Sequence, residues 1–401
     1  MSDKVVHTLN SRTLIKSNFR NYSMYIMLAL ILLIFGGLSG WTNFTGRNIT
    51  NIFFQFSYVF ILATGMVQCI IILGIDLSVG SVCAFIGALS VYIYNTGAGV
   101  LVTLLAALVM GFAVGAFQGW FVAYPKVPPF IVTLAGMMLF RGLTYIVTNV
   151  NPVNPRDDYY SYLATGTVDG DLLHLEERAF FGHFPAAFAT ALIVLVIFLV
   201  MEFINRRTKI ANGFEVAPAV FFIGKLLVIS AIVIAIAERF AQYRGLPVVV
   251  IILGVTVVIF HFVLKNTVLG RYIYAVGGNT RSAKLSGINT EFVTLIVFCF
   301  MGTLTGLAAV ISTGYMNSAL PQAGNAFEMD AIAACYIGGV SASGGIGTVV
   351  GVVVGGFVMA AINNGMSLMN LGTHYQYVVK GLILLLAVFY DVYNRRKSGL
   401  G

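Results

Sequence analysis

Twelve apolar runs divide this chain, most of them near the roughly 20 residues that an α-helix needs to cross a bilayer. They cover 22–41, 50–73, 79–95, 99–123, 130–148, 185–204, 218–237, 246–264, 292–313, 328–342, 346–365 and 376–393. Polar turns separate them. The pattern predicts an all-α, polytopic integral membrane protein. The 328–342 run is short and rich in glycine, so it reads either as a full crossing or as a broken helix.

Composition agrees. The 401 residues are 59% hydrophobic and 9% charged, against about 25% charged in a soluble domain. Mean hydropathy is +0.91. The net charge of +8 does not form a basic face, because the cations sit at the flanks of apolar runs, and this argues against a nucleic-acid partner. Their distribution carries orientation instead. With the N-terminus inside and twelve crossings, the inner segments hold Lys4, Arg12, Lys16, Arg20, Lys126, Arg206, Arg207, Lys209, Lys265, Arg271, Arg281, Lys284, Arg395, Arg396 and Lys397. The outer segments hold Arg47, Arg156, Arg178, Arg239 and Arg244, while Arg141, Lys225 and Lys380 fall within runs. The excess inside predicts N-in and C-in. Residues 1–21 read as a cytoplasmic tail without a cleavage pattern, 22–394 as one membrane domain, and 395–401 as a second cytoplasmic tail. Cys69, Cys83, Cys299 and Cys335 all lie in apolar segments and read as free thiols used for packing.

One polar stretch is out of place. Residues 265–291 read KNTVLGRYIYAVGGNTRSAKLSGINTE. Gly277 and Gly278 are expected to break the helical pattern. Leu285 to Ile288 supply a small apolar tip on a basic segment that the charge bias puts in the cytoplasm. Such a turn reads as a docking element for a cytoplasmic partner, or as an ordinary basic connector. The outer segment 150–184 carries Asp157, Asp158, Asp169, Asp171, Glu176 and Glu177. It reads as a seat for a soluble partner or as a solvated connector.

Three strings within the membrane carry polar groups. GIDLSVGS places Asp76 at a boundary, either in a broken-helix turn or capping a helix that begins near Ser78. In PKVPPFIVTLAGMMLFRG, Pro128 and Pro129 suit a helix start. Gly136 there permits close approach, and Arg141 needs a carboxylate or carbonyl partner. In 328–366 the Gly338–Gly347 stretch must be buried or line a wet cavity. Asn363 and Asn364 follow, about 100° apart on a helix, for a pathway or for interhelical hydrogen bonds. No G-x-x-x-x-G-K-[ST], metal-spaced His/Cys cluster or nucleophile motif occurs. We therefore assign no catalytic residue, no metal and no cofactor to this chain.

YAVGGNTRSAKLSGINT resembles the cytoplasmic coupling loop of the permease subunits of bacterial sugar ABC importers, the ribose, galactose and xylose group. IDLSVGS, the PKVPPF…FRG string, DAIAA and NNGMS are similar to that family's strings in the same order, from about residue 45 to 395. GFEVAP at 213–218 and the extra pair of runs within 185–237 resemble the multiple-monosaccharide and xylose branch. The ribose permeases have ten spans.

The resemblance implies a homodimer of permeases in the bacterial cytoplasmic (inner) membrane. A periplasmic or lipoprotein sugar-binding protein would deliver a monosaccharide of the xylose, arabinose, galactose or glucose class. A separate ABC ATPase subunit would carry ATP and Mg and dock on Gly277, Gly278, Asn279, Arg281, Lys284, Leu285, Ser286, Gly287 and Ile288. Leu285 and Ile288 would enter a groove there, with Arg281 and Lys284 on acidic groups at its rim. A sugar pathway wants amides, hydroxyls and aromatic faces, for which Gln68, Asp76, Gln118, Trp120, Tyr336, Asn363 and Asn364 are candidates. The 150–184 loop departs from the family's strings, so the sugar is left open. The rival reading is an ion-coupled secondary sugar transporter, with Asp76, Glu328 and Asp330 as candidate relay groups.

Overall fold

In lipid every backbone N–H and C=O must be satisfied within its own segment, and the apolar runs accordingly fold as helices. The computed structural model describes residues 11–172, 184–216 and 218–397. In chain order the α-helices are α1 (Ser11–Leu38), α2 (Gly46–Ile71), α3 (Val79–Asn95), α4 (Val100–Ala123), α5 (Pro129–Thr148), the single turn α6 (Tyr162–Thr165), α7 (Pro185–Ala211) and α8 (Ala219–Ala241). They continue with α9 (Val248–Asn266), α10 (Val268–Gly278), α11 (Thr280–Leu285), α12 (Thr290–Met316), α13 (Phe327–Ile337), α14 (Val349–Leu368) and α15 (Thr373–Lys397). Extended pairing among the described residues is limited to two isolated bridges, Val153 with Ala319 and Thr167 with Pro247.

The twelve expected runs fold into helices of unequal length. Among the described residues eight helices are long and apolar enough to span, namely α2, α4, α5, α7, α8, α9, α12 and α14. Shorter apolar helical stretches occupy Met24–Leu38, Val79–Asn95 and Thr373–Phe389. The 328–342 run is a broken helix: α13 has 11 residues, about 16 Å at 1.5 Å per residue and half a bilayer. Behind it Gly339, Gly344 and Gly345 all take positive φ, which ends a helix that alanine would have continued. At the other end of the chain, α1 begins at Ser11, so the second half of the expected tail is continuous with the first helix. Residues 1–10 and 398–401 lie outside the described residues.

Contacts group the chain into two units, and each is taken by itself. The smaller gathers the described parts of 1–26, 44–51 and 167–247. Its centre is the α7–α8 hairpin, the extra pair of runs in the sequence. Lys225 Nζ reaches Glu202 Oε1 at 2.7 Å, and the Arg206 guanidinium lies 4.5 Å from the centre of the Phe222 ring. Asp169 is buried. It accepts from Ala186 N at 2.7 Å and Leu246 N at 2.9 Å, which places a carboxylate at the start of α7, where the helix dipole favours one. Asp171 accepts from Thr167 N at 2.7 Å. Glu176, Glu177 and Arg178 lie outside the described residues.

The larger unit gathers 27–43, 52–166 and the described part from 248 onward. Helices α2, α12 and α14 are mostly buried, whereas α4, α5 and α9 turn most of their side chains outward. Close packing of α4 on α12 rests on glycines spaced four apart. A β-carbon at Gly111 would fall on the Gly302 carbonyl, and one at Gly302 on that of Gly111. Small residues at this spacing let helix backbones touch. All four cysteines are free and buried.

In the 150–172 segment Asp157 accepts from the Tyr94 hydroxyl and from Tyr159 N, and Arg156 lies over the Tyr94 ring. Asp158 accepts from Asn317 Nδ2 at 2.9 Å. The described carboxylates of 150–172 thus hold the loop to its own helix ends.

Candidate functional site

The 265–291 stretch folds as two short helices with every end capped. Thr267 opens α10 by accepting from Gly270 N at 3.1 Å. Asn279 closes α10 and opens α11, its side chain accepting from Ser282 N at 2.9 Å. Ile288 N donates to Ala283 O and Gly287 N to Lys284 O, the paired bonds of a Schellman turn. Gly287 has φ +84° with nothing within 4 Å of an added β-carbon. It is required for backbone conformation and not for space. Asn289 then caps α12 by accepting from Phe292 N at 2.9 Å.

Gly277 and Gly278 do not break α10 as expected; they are its last residues. The break falls at Asn279. Gly277 is buried where the chain passes against Ile71 O and Gly345 N, leaving no room for a β-carbon, while Gly278 meets nothing. Gly345 N donates to Ile71 O at 2.9 Å, and the Tyr274 hydroxyl to Gly347 O at 2.6 Å. The base of the element is therefore keyed to the end of α2 and to the glycine-rich turn between α13 and α14.

At the tip, Leu285 is 84% exposed and Ile288 is half-buried. Arg281 and Ser286 are exposed. Lys284, exposed, holds Glu291 at 2.7 Å, and Lys126 lies 3.8 Å from the same carboxylate.

Two of the candidate pathway residues meet through a shared partner. Asp76 and Gln118 are joined through Ser78, whose hydroxyl donates to Asp76 Oδ1 at 2.7 Å and accepts from Gln118 Nε2 at 2.9 Å. Asp76 also accepts from Ser78 N at 2.8 Å. It makes a turn ahead of α3, and Ser78 is the cap residue. Gly136 packs on the Gln118 amide, the close approach expected of it. Gln68 is buried in α2 and donates to Thr64 O at 3.3 Å, with Oε1 unpaired. Tyr336 and Asn364 are buried in α13 and α14. Trp120 is exposed on α4, edge-on to Phe121.

Asn363 leads to a group that the sequence reading did not assemble. Asp330, fully buried, accepts from Lys380 Nζ at 2.9 Å and the Tyr58 hydroxyl at 2.9 Å, with Asn363 Nδ2 at 3.5 Å. The available signal was Lys380 itself, a cation within an apolar run, which demands a partner. Arg141 takes the carbonyl alternative, donating through Nη1 to Pro321 O at 3.1 Å and Ala323 O at 2.7 Å.

A family model described as "Branched-chain amino acid transport system / permease component" matches residues 48–388. The chain belongs to this permease family. It is a membrane-embedded transport component and not an enzyme. The permease is 37% identical over 385 residues to the xylose transport system permease protein XylH of Escherichia coli K12, covering 94% of each chain. It is 37% identical to XylH of Haemophilus influenzae, covering 95% of this chain and 98% of that one. With the ribose import permease protein RbsC of Escherichia coli K12 it shares 36% identity over 87% of this chain and 86% of the relative. No solved structure matches it. Nothing in these comparisons favours the ion-coupled alternative.

Proposed function

We propose that this permease is the transmembrane subunit of an ATP-driven ABC importer of monosaccharides, working by alternating access in the cytoplasmic (inner) membrane. A binding protein delivers the sugar, two permease copies form the pathway, and a separate ATPase subunit with ATP and Mg drives the switch. The similarity to xylose and ribose permeases over nearly the whole chain supports the sugar class. The observation that carries the coupling role is the α10–α11 element. It is a capped, rigid tip presenting Leu285 outward, with its base locked to α2 and the α13–α14 turn.

In this reading the chain crosses with both ends inside, the short α13 accompanying the longer helices, and the α10–α11 element faces the cytoplasm. A cysteine at Asn212, between α7 and α8, is then labelled only from inside. The permease itself holds sugar weakly. What it requires is unequal affinity between its two states, imposed by ATP and the binding protein.

The test is labelled-sugar uptake in proteoliposomes containing the partner ATPase and binding protein. Uptake requires ATP and survives an uncoupler. Burying Leu285 alone is worth about 1.5–3 kcal/mol, so Leu285→Asp uncouples sugar-stimulated ATPase at equal membrane abundance. Lys284→Ala removes an exposed pair worth about 0–1 kcal/mol and costs little. Uptake that persists without ATP and collapses with the uncoupler overturns the proposal.

A further inference from the structure

A cleft of about 410 Å³ opens in the larger unit between the start of α3, the middle of α5 and the turn into α13. It falls within the ~300–1,000 Å³ of small-molecule sites. Its lining includes Ser81, Met138, Arg141, Tyr145, Asn325 and Glu328. The backbones behind it are pressed together, since a β-carbon at Gly80 would fall on the Gly324 carbonyl. The first turns of α3 and α13 are thus fixed relative to each other.

Two opposite charges face this cleft without meeting. Arg141 spends Nη1 on two backbone carbonyls, which leaves Nε and Nη2 without protein partners among the described residues. Glu328, half-buried, accepts from its own backbone N–H and reaches no other side chain within hydrogen-bond or ion-pair distance among the described residues. No Arg141–Glu328 contact falls within 4.0 Å. A half-buried carboxylate with no side-chain partner in a membrane domain is costly, and such groups mark ligand sites. The guanidinium only donates and the carboxylate only accepts. A ligand between them must therefore do both. Vicinal hydroxyls of a neutral sugar do so, each accepting from one side and donating to the other. The Tyr145 ring and Met138 offer an apolar surface for the sugar's C–H face.

We propose that this cleft is where the permease holds its monosaccharide, with Glu328 accepting from and Arg141 donating to the sugar hydroxyls. The assignment rests on the monosaccharide reading above. A zwitterionic amino acid also presents a donor and an acceptor. The commitment to sugar follows from the relatives named for xylose and ribose transport.

Gly142 lines the cleft, and an added β-carbon there meets nothing within 4 Å. The four native cysteines are buried. Gly142→Cys in the full-length permease, reconstituted in nanodiscs, therefore reports the cleft by maleimide labelling. The probes are D-xylose, D-ribose, D-galactose and D-glucose at high millimolar concentration, with L-leucine as the contrasting arm. At least one sugar is expected to slow labelling several-fold, and Glu328→Gln in the same background to abolish that protection. In the reconstituted importer Glu328→Gln is expected to lower uptake about tenfold at equal abundance, the loss of one hydrogen bond to a charged group. Wild-type uptake of these sugars, with labelling indifferent to all of them and Glu328→Gln transporting normally, overturns the cleft assignment and leaves the importer reading standing. Protection by L-leucine and by no sugar overturns the sugar assignment. Absence of wild-type uptake of any of the four overturns the monosaccharide reading itself.

Discussion

The pair of Asp330 on α13 and Lys380 on α15 offers the sharpest energetic test. Asp330 is fully buried, and the Lys380 side chain is 13% exposed. Removing one partner from such a pair leaves an uncompensated charge and costs about 3–5 kcal/mol, whereas replacing both by apolar or neutral groups is often close to neutral. Tyr58→Phe removes one hydrogen bond but keeps the ring, which stacks on Phe327 with centroids 3.6 Å apart. Side-chain hydrogen bonds within membrane proteins average about 0.6 kcal/mol with a maximum near 1.7, so that variant should lose far less than Lys380→Met. The expected order of stability is wild type, then Tyr58→Phe, then Lys380→Met. Asp330→Asn with Lys380→Met should recover most of the loss, giving a coupling energy on the order of 2–3 kcal/mol. The assay is reversible denaturant unfolding of the purified permease in lipid nanodiscs, applied to both single variants and the double. A Lys380→Met variant within about 0.5 kcal/mol of wild type, or a double variant no more stable than the single, refutes this account of the buried pair.

Three further outcomes follow from the same geometry. Gly277→Ala should break the contact with Ile71 and Gly345 and abolish coupled ATPase, while Gly278→Ala, one residue on and facing open space, should be neutral or gain up to about 1 kcal/mol of helix stability; equal effects would remove the keyed base. Gly302→Ala should destabilise by about 1–3 kcal/mol through overpacking against α4, with Gly254→Ala, where nothing lies within 4 Å, as the control in the same melting assay. The Tyr94 hydroxyl bonded to Asp157 holds that carboxyl below its ordinary value. Stability from this tie is present above the unfolded pKa of about 3.9 and is lost as pH falls below it through the folded value. Thermal stability should therefore fall on acidification below about pH 4 less steeply in Asp157→Asn than in wild type.

The helices were legible because lipid leaves the backbone few alternatives, and apolar length alone marks them. What apolar length does not mark is where a helix stops inside a run. Gly338 and Gly339 lie in a stretch as apolar as its neighbours, and the stop depends on a positive φ that only the packed turn reveals. The coupling-like stretch was legible as a position and an apolar tip. Its internal geometry was not, because Gly277 and Gly278 are alike in sequence and differ only in what faces them. The contact of Lys284 within the chain was not legible for a similar reason: its partner Glu291 is seven residues on, across a turn whose Schellman closure brings the two together. Residues near each other on one helix, such as Gln118 and Trp120, were grouped by chemistry, yet a separation of two residues sends them to nearly opposite faces. Pairs across helices, such as Asp330 with Lys380, have no spacing rule at all.

The contacts at the base of α10 bear on how motion at the tip could be used. Gly277 meets Ile71 and Gly345 through backbone atoms, and Tyr274 meets the backbone at Gly347. A side-chain interface can absorb a displacement by changing rotamers, at little cost to either element. Backbone against backbone has no such slack, because packed interiors switch between arrangements instead of deforming smoothly. In the proposed cycle a push on the capped α11 tip therefore displaces either the end of α2 or the glycine turn. The glycine turn is the softer of the two, having fewer internal hydrogen bonds than a helix and three glycines at positive φ. That turn precedes α14 and follows α13, the helix that carries both Glu328 and Asp330. Helices α13 and α14 are themselves packed backbone on backbone, a β-carbon at Gly355 falling on the Ala334 carbonyl and one at Gly351 on that of Gly338, so by the same reasoning a displaced glycine turn carries the two helices together.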